Sequence, residues 1–300
     1  MLSTHFKIVD DDFRVGFRFQ KAWGTSMATA FFFGEAGAGL YFVAQFFDFA
    51  LGMIAGLLMV MLGKGGGHLL HLGRPSRGWR AFTKIGSSWI SRGLLAISVF
   101  TVFGTLHVFD LHTGLLPQAA SWLVAAVAIA ACLTIMVYQG FAMSHSSSIA
   151  LWSTGLMPLA SLTYALLNGV VLTLVLGFHA ALFADRPETV QLLRIAAVAL
   201  VLYGVVTILS LLHGAKYGSE GGQESVRLLL RGAFRNWFLA LVIGLGFGVS
   251  ALMMAFAPEG YAVMIAAAGA ELTGYYAFRV LMFRAATYDP VMSFAPHFRR

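Results

Sequence analysis

Apolar residues run along this chain in long blocks, repeated over its whole length and separated by short clusters of charged and polar positions. A membrane-spanning helix needs about 20 mostly apolar residues. Blocks of that size fall at about 22–47, 49–70, 88–109, 117–142, 153–183, 190–213, 234–257 and 260–284. They predict an all-α integral membrane protein of about eight transmembrane helices, with segment 1–21 before the membrane domain 22–284 and tail 285–300 after it. An even number of crossings puts both termini on one side. Only Asp48 marks a turn between the first two blocks, and the fifth is long enough to tilt or to break near Pro158. Asp10, Asp11 and Asp12 stand among basic residues where a signal peptide would need a charged stretch before a short apolar core, so the first helix is expected to be retained.

Composition sharpens this picture. Of the 300 residues 59% are hydrophobic and 11% charged, where a soluble domain carries roughly a quarter charged. With a mean hydropathy of +0.79, this excludes a disordered protein, a coiled coil, a disulfide scaffold and a soluble enzyme with one apolar patch. The single cysteine, Cys132, cannot form an intrachain disulfide or hold an iron-sulfur cluster, which takes about four ligands. Any such centre belongs to a partner. The net charge of +7 is a matter of placement: all but two of the 20 Lys and Arg, Arg186 and Arg194, fall on one face of the predicted topology. Asp48, Asp110, Asp185, Glu188 and Glu259 collect on the other. The positive-inside rule makes the basic face, with both termini, cytoplasmic. Nucleic-acid binding therefore has no place in the account.

The connection between the second and third blocks mixes His68 and His71 with four arginines, Trp79 and Trp89, at the lipid–water boundary. A plain linker would carry Gly, Pro and solvated polar residues. Arginines and tryptophans alone would suit headgroup anchoring, but the histidines add chemistry. Three residues apart, they share a face if the second helix continues, close to Arg74 one turn later. The run His71-Leu-Gly-Arg-Pro-Ser-Arg-Gly-Trp-Arg-Ala-Phe82, followed by Ser88-Trp-Ile-Ser-Arg92, resembles the signature loop of membrane-anchor subunits of the dimethyl sulfoxide reductase type. These belong with the polysulfide-reductase and NrfD-like anchors. Weaker likenesses are the small-residue run Gly34-Glu-Ala-Gly-Ala-Gly39, Tyr138 and Trp152 around the fourth-to-fifth junction, and Glu271-Leu-Thr-Gly274.

The resemblance implies an NrfD-like pair of four-helix bundles without heme in a bacterial inner membrane. It implies a partner subunit with four iron-sulfur clusters, like a ferredoxin, and a catalytic subunit with molybdopterin (Mo or W). Such an anchor exchanges electrons with a quinone, menaquinone or ubiquinone, and does not itself catalyse the substrate half-reaction. The arginine-rich loops and the tail from 288 on are candidates for the docking surface. One departure stands out: the family loop often ends in a Glu just inside the third helix, and this chain has Gly93 there.

A quinone that takes two electrons also takes two protons, so it needs donors at its carbonyls and an apolar slot for ring and tail. His71 is the first candidate, since imidazole titrates near neutrality. Arg74 or Arg80 would polarise a carbonyl or contact lipid headgroups, and Trp79 would flank the ring or anchor the interface. Tyr138 and Gln139, at the same end of the fourth helix, would complete the pocket or bond between helices. Glu35 and Glu271 lie in the middle of apolar blocks, where an ionisable side chain is costly, and are candidates for proton transfer or for carboxyl hydrogen bonds between helices. Arg279 is expected to snorkel toward the cytoplasmic end. Gly63-Lys-Gly-Gly-Gly67 reads as a loop or helix ending, and Gly52 with Gly56 and Gly244 with Gly248 as close-packing pairs. Two other classes stay open: a b-type cytochrome anchor using His107, His112, His145, His179 or His213, and a secondary transporter or proton channel using the two glutamates.

Overall fold

The computed structural model describes residues 7–9, 13–14, 17–71 and 74–289. Among them, seven helices are long and apolar enough to cross a membrane: α1 (Thr25–Phe47), α2 (Ala50–His71), α3 (Trp89–Thr113), α4 (Gln118–Ser144), α5 (Leu156–His179), α6 (Pro187–Gly218) and, after the short amphipathic α7 (Glu220–Leu230), α8 (Arg235–Phe256). The eighth expected span forms as α9 (Tyr261–Arg284), 24 residues long. Glu271 and Arg279 make it less apolar, yet both are buried inside the protein.

Local chemistry sets most boundaries. Asp48, with φ 47° and ψ 33°, takes the left-handed conformation that ends α1, a region Asp visits more readily than most residues. Ser88 accepts from the Ser91 N–H and caps α3, which closes at Gly114 with φ 60°. Pro158 sits in the first turn of α5, where the N–H has no intrahelical acceptor to lose. The helix therefore continues unbroken to His179, and the expected break does not occur. The glycine run 63–67 is likewise no loop: Met59–Lys64 is π-helical and Gly65–His71 returns to α-helix. A π turn accommodates one extra residue and shifts the register of the helix beyond it.

The helices pack as two groups. Tyr41, Met53, Phe100, Cys132 and Ile135 lie in the core of α1–α4, and a larger core joins α5, α6, α8 and α9. In lipid, helices associate through close packing and polar contacts because apolar surface alone gives no preference for protein over lipid. The seam between the groups shows this. A Cβ added at Gly39 of α1 would lie 1.7 Å from the Ala165 carbonyl oxygen of α5, and one at Gly169 would lie 2.3 Å from the Gly39 oxygen. Gly56 packs on α1 as expected, but in α8 the close approach is made by Gly246, against Gly274, and not by Gly244 or Gly248.

The chain ends meet on one face. Arg18–Phe19 pairs antiparallel with Thr287–Tyr288, and the Gln20 amide donates to the Phe283 and Trp23 carbonyls at 2.7 and 2.8 Å. Trp23 stacks on Trp152, whose indole N–H donates to Met282 O. The α2–α3 connection lies at the same face, since Ser26 at the start of α1 reaches His71 at the end of α2.

Candidate functional site

Two buried polar clusters lie behind that face. The first forms around Lys64, which the register of the π turn carries into the bundle, where it is fully buried. Its ammonium donates to Gln139 Oε1 at 2.8 Å. It also lies 4.7 Å from the centre of the Tyr138 ring and 5.1 Å from that of Phe31, so two ring faces supply negative potential to a cation removed from water. Gly34 makes room for its stem, because a Cβ there would meet Lys64 Cδ at 2.5 Å. Gln139 donates onward to Phe31 O at 3.3 Å. The Tyr138 ring lies on Gly93: a Cβ at that position would come within 2.1 Å of a ring carbon. In this chain the tyrosine fills the space that a side chain at 93 would need. The Tyr138 hydroxyl and His68 Nε2 are 3.3 Å apart, and His68 is half-buried. A hydrogen-bonded path thus begins at the bundle surface, and the Tyr138 ring brings it against the Lys64 ammonium.

The six residues expected to form one pocket divide between two settings. Tyr138 and Gln139 are buried beside Lys64, whereas His71, Arg74, Trp79 and Arg80 are exposed. His71 Nδ1 stands 3.5 Å from Ser26 Oγ. Trp79 and Arg80 lie on the short 3-10 segment Pro75–Lys84, with the Arg80 guanidinium 5.8 Å from the Trp79 ring. Arg92 fastens the end of this platform, donating to Ile85 O at 3.0 Å and Gly86 O at 2.7 Å. Leu72 and Gly73 of the signature run lie outside the described residues. Lys64 escapes a reading of the sequence because it stands among glycines as a loop cation would. The available signal is its spacing, four residues before His68 and hence on the same helix face.

The second cluster joins α1, α5 and α9. Arg279 does not snorkel: it is fully buried, and its Nη2 donates to Glu35 Oε2 at 2.5 Å and to Ser161 Oγ at 2.8 Å. The Tyr275 hydroxyl also donates to Glu35 and accepts from Arg279 Nε at 3.2 Å. A carboxylate with such a hydrogen-bonded shell offers the guanidinium more than the interface does, so it turns inward. Glu271, two turns earlier on α9, makes no hydrogen bond to Glu35, and neither of its oxygens has a hydrogen-bond partner among the described residues. Of the remaining histidines, His107 is 2.8 Å from the Tyr41 hydroxyl, while His179 and His213 lie beside Tyr261 and Tyr217.

Fold and site together define a multi-pass membrane protein of two helix groups, with buried cations at the seam and an arginine-rich platform at the face of its termini. Comparison with known sequences narrows the class. Residues 49–219 match the family of the DMSO reductase anchor subunit, DmsC, and the chain belongs to that family. It is 26% identical over 201 residues to the anaerobic dimethyl sulfoxide reductase chain YnfH of Escherichia coli (strain K12), covering 65% of this chain and 68% of the relative. It is also 33% identical over 81 residues to a sulfite dehydrogenase subunit of Allochromatium vinosum, an alignment covering 24% of this chain and 25% of that protein. As a family member the chain is a membrane-anchor subunit of a redox complex. The matched segment includes Lys64, His68, the arginine-rich platform, Tyr138 and Gln139.

Proposed function

We propose that this chain anchors a respiratory molybdopterin oxidoreductase and passes electrons between the partner's iron-sulfur subunit and the quinone pool. The partner docks on the basic face of the termini, which is cytoplasmic by the charge asymmetry. The observation that carries this reading is the path from half-buried His68 through Tyr138 to the ammonium of Lys64, beginning where the arginine platform starts.

The residues fit a quinone headgroup. His68, His71 and the Tyr138 hydroxyl are donors at the end of α2, and Leu69 and Leu70 beside them are exposed, giving an apolar approach from the lipid. When bound, the quinone supplies the two-electron, two-proton couple. His68 or His71 holds a proton at a ring nitrogen for a carbonyl oxygen. Arg74 and Arg80 add positive potential beyond the end of α2, and Trp79 an aromatic face beside Arg80. Lys64, fixed by Gln139, backs Tyr138 with positive charge. Glu35 and Glu271 are the proton-transfer groups of the interior.

The test is co-expression with candidate partner subunits, purification in mild detergent, a metal assay and quinol turnover. Co-purifying iron and molybdenum or tungsten subunits are expected. His68→Ala and His71→Ala should each lower kcat/KM for quinol by about a hundredfold, the lower range for a lost general acid–base group, with assembly unchanged. A lone, metal-free polypeptide would refute the reading.

A further inference from the structure

Glu35, Tyr164, Asn168 and Glu271 are buried near the α5–α9 contact, and each has a polar atom without a hydrogen-bond partner among the described residues: Glu35 Oε1, the Tyr164 hydroxyl, both amide atoms of Asn168 and both oxygens of Glu271. Native interiors pair such groups with protein or with ordered water. Their arrangement is regular. Glu271, Tyr275 and Arg279 recur every four residues on one face of α9, and Ser161, Tyr164 and Asn168 share a face of α5. The helices run antiparallel and match rung for rung. Arg279 bonds Ser161 and the Tyr275 and Tyr164 rings stack at 4.4 Å; continuing the same spacing along both helices brings Glu271 level with Asn168, one rung beyond Tyr164.

At 1.5 Å per residue, the rungs from Arg279 to Glu271 cover about 12 Å of α9. The Arg279 rung lies about 8 Å from the helix end at Arg284, and Glu271 about 15 Å from the other end at Tyr261. Lys64 packs on Gly34, the residue before Glu35, so the ladder adjoins the first cluster.

We propose that Glu271, Asn168 and Tyr164 form a buried, hydrated proton-binding site, filled from the face opposite the termini and joined through Tyr275 and the Glu35–Arg279 pair to the Lys64 end. A carboxyl with an amide and a phenol around it holds a proton and the water that delivers it. The role rests on the quinone reading, while the existence of the site does not. Two electrons from the partner and two protons along this ladder reduce one quinone, the protons ending on its two oxygens, and each carrier returns to its starting state. In quinol oxidation the same route releases two protons to the opposite face.

The test uses the whole complex in phosphatidylethanolamine–phosphatidylglycerol liposomes, with pH dyes on each side, and infrared spectra of the complex in H2O and D2O. A protonated-carboxyl band that is lost in Glu271→Gln and shifts promptly in D2O is expected. Protons should be taken from the face opposite the termini during quinone reduction, about tenfold or more slowly in Glu271→Gln, with Glu271→Asp restoring part of the rate. Tyr164→Phe, which leaves the carboxyl in place, should weaken the D2O response should Glu271→Gln fail to assemble. Proton exchange only on the face of the termini, in a wild type that turns quinone over, would overturn the role and leave the quinone reading standing. A carboxyl band silent in D2O would overturn the site, as would turnover set by Na+ concentration at constant pH. A wild type with no quinone turnover would remove the quinone reading, and the D2O response would decide the site alone.

Discussion

Replacing Arg279 by methionine, which keeps an unbranched apolar stem but removes the guanidinium, would strip a buried carboxylate of its counter-ion. Arg279 and Glu35 are fully shielded from solvent, with the ion pair at 2.5 Å. The same guanidinium also satisfies Ser161 at 2.8 Å and Tyr275 at 3.2 Å. Removing one member of a buried pair costs about 3–5 kcal/mol, because the remaining charge has neither water nor partner. At roughly 2–4 °C per kcal/mol, the apparent Tm of the purified complex should fall by roughly 6–20 °C. Scans in one mild detergent at one heating rate read this, since unfolding of such complexes is under kinetic control. The double variant Glu35→Gln/Arg279→Met carries no buried charge to strand and should recover most of the loss. If Arg279→Met unfolds with the wild type, or the double variant is no more stable than the single, Glu35 does not depend on Arg279 and the second cluster is misassigned.

Gly39→Ala should destabilise by about 1–3 kcal/mol through overpacking, because its methyl would fall 1.7 Å from the Ala165 oxygen; monodisperse elution at normal yield would contradict the α1–α5 seam. Arg194 donates to Met254 O in the last turn of α8 at 2.7 Å and to Ala257 O just past it at 2.6 Å. Arg194→Ala should therefore cost about 1.5–3 kcal/mol and speed amide hydrogen exchange around residues 250–257, and protection there equal to wild type would rule the cap out. Arg227, more than half exposed although it pairs with Glu224 at 2.6 Å, should tolerate alanine within about 0.5 kcal/mol by thermal scan, since exposed pairs contribute little.

The signature run from His71 to Phe82 points to the family by itself, because a specific mix of His, Arg, Pro and Trp leaves few alternatives. Its neighbour Lys64 is hidden for a local reason: a lysine among four glycines looks like a turn until the helix is seen to continue through it. Gly93, a departure from the family pattern, makes sense only with the Tyr138 ring lying on it.

The helical blocks and Asp48 as the hinge between α1 and α2 follow from sequence alone. The shared side of the termini follows as well. Each depends on a rule that acts within one segment: apolar length against bilayer thickness, or a residue tolerant of positive φ. Which buried charges meet is decided elsewhere. Glu35 and Arg279 are 244 positions apart, and whether they face each other, or Glu271 faces Tyr164, depends on the rotation of three helices packed through Gly39, Gly169 and Gly274. A hydropathy pattern places a charge at a depth in the membrane; only the tertiary structure gives it a partner, because the rotation of one helix is set by the shape of the next.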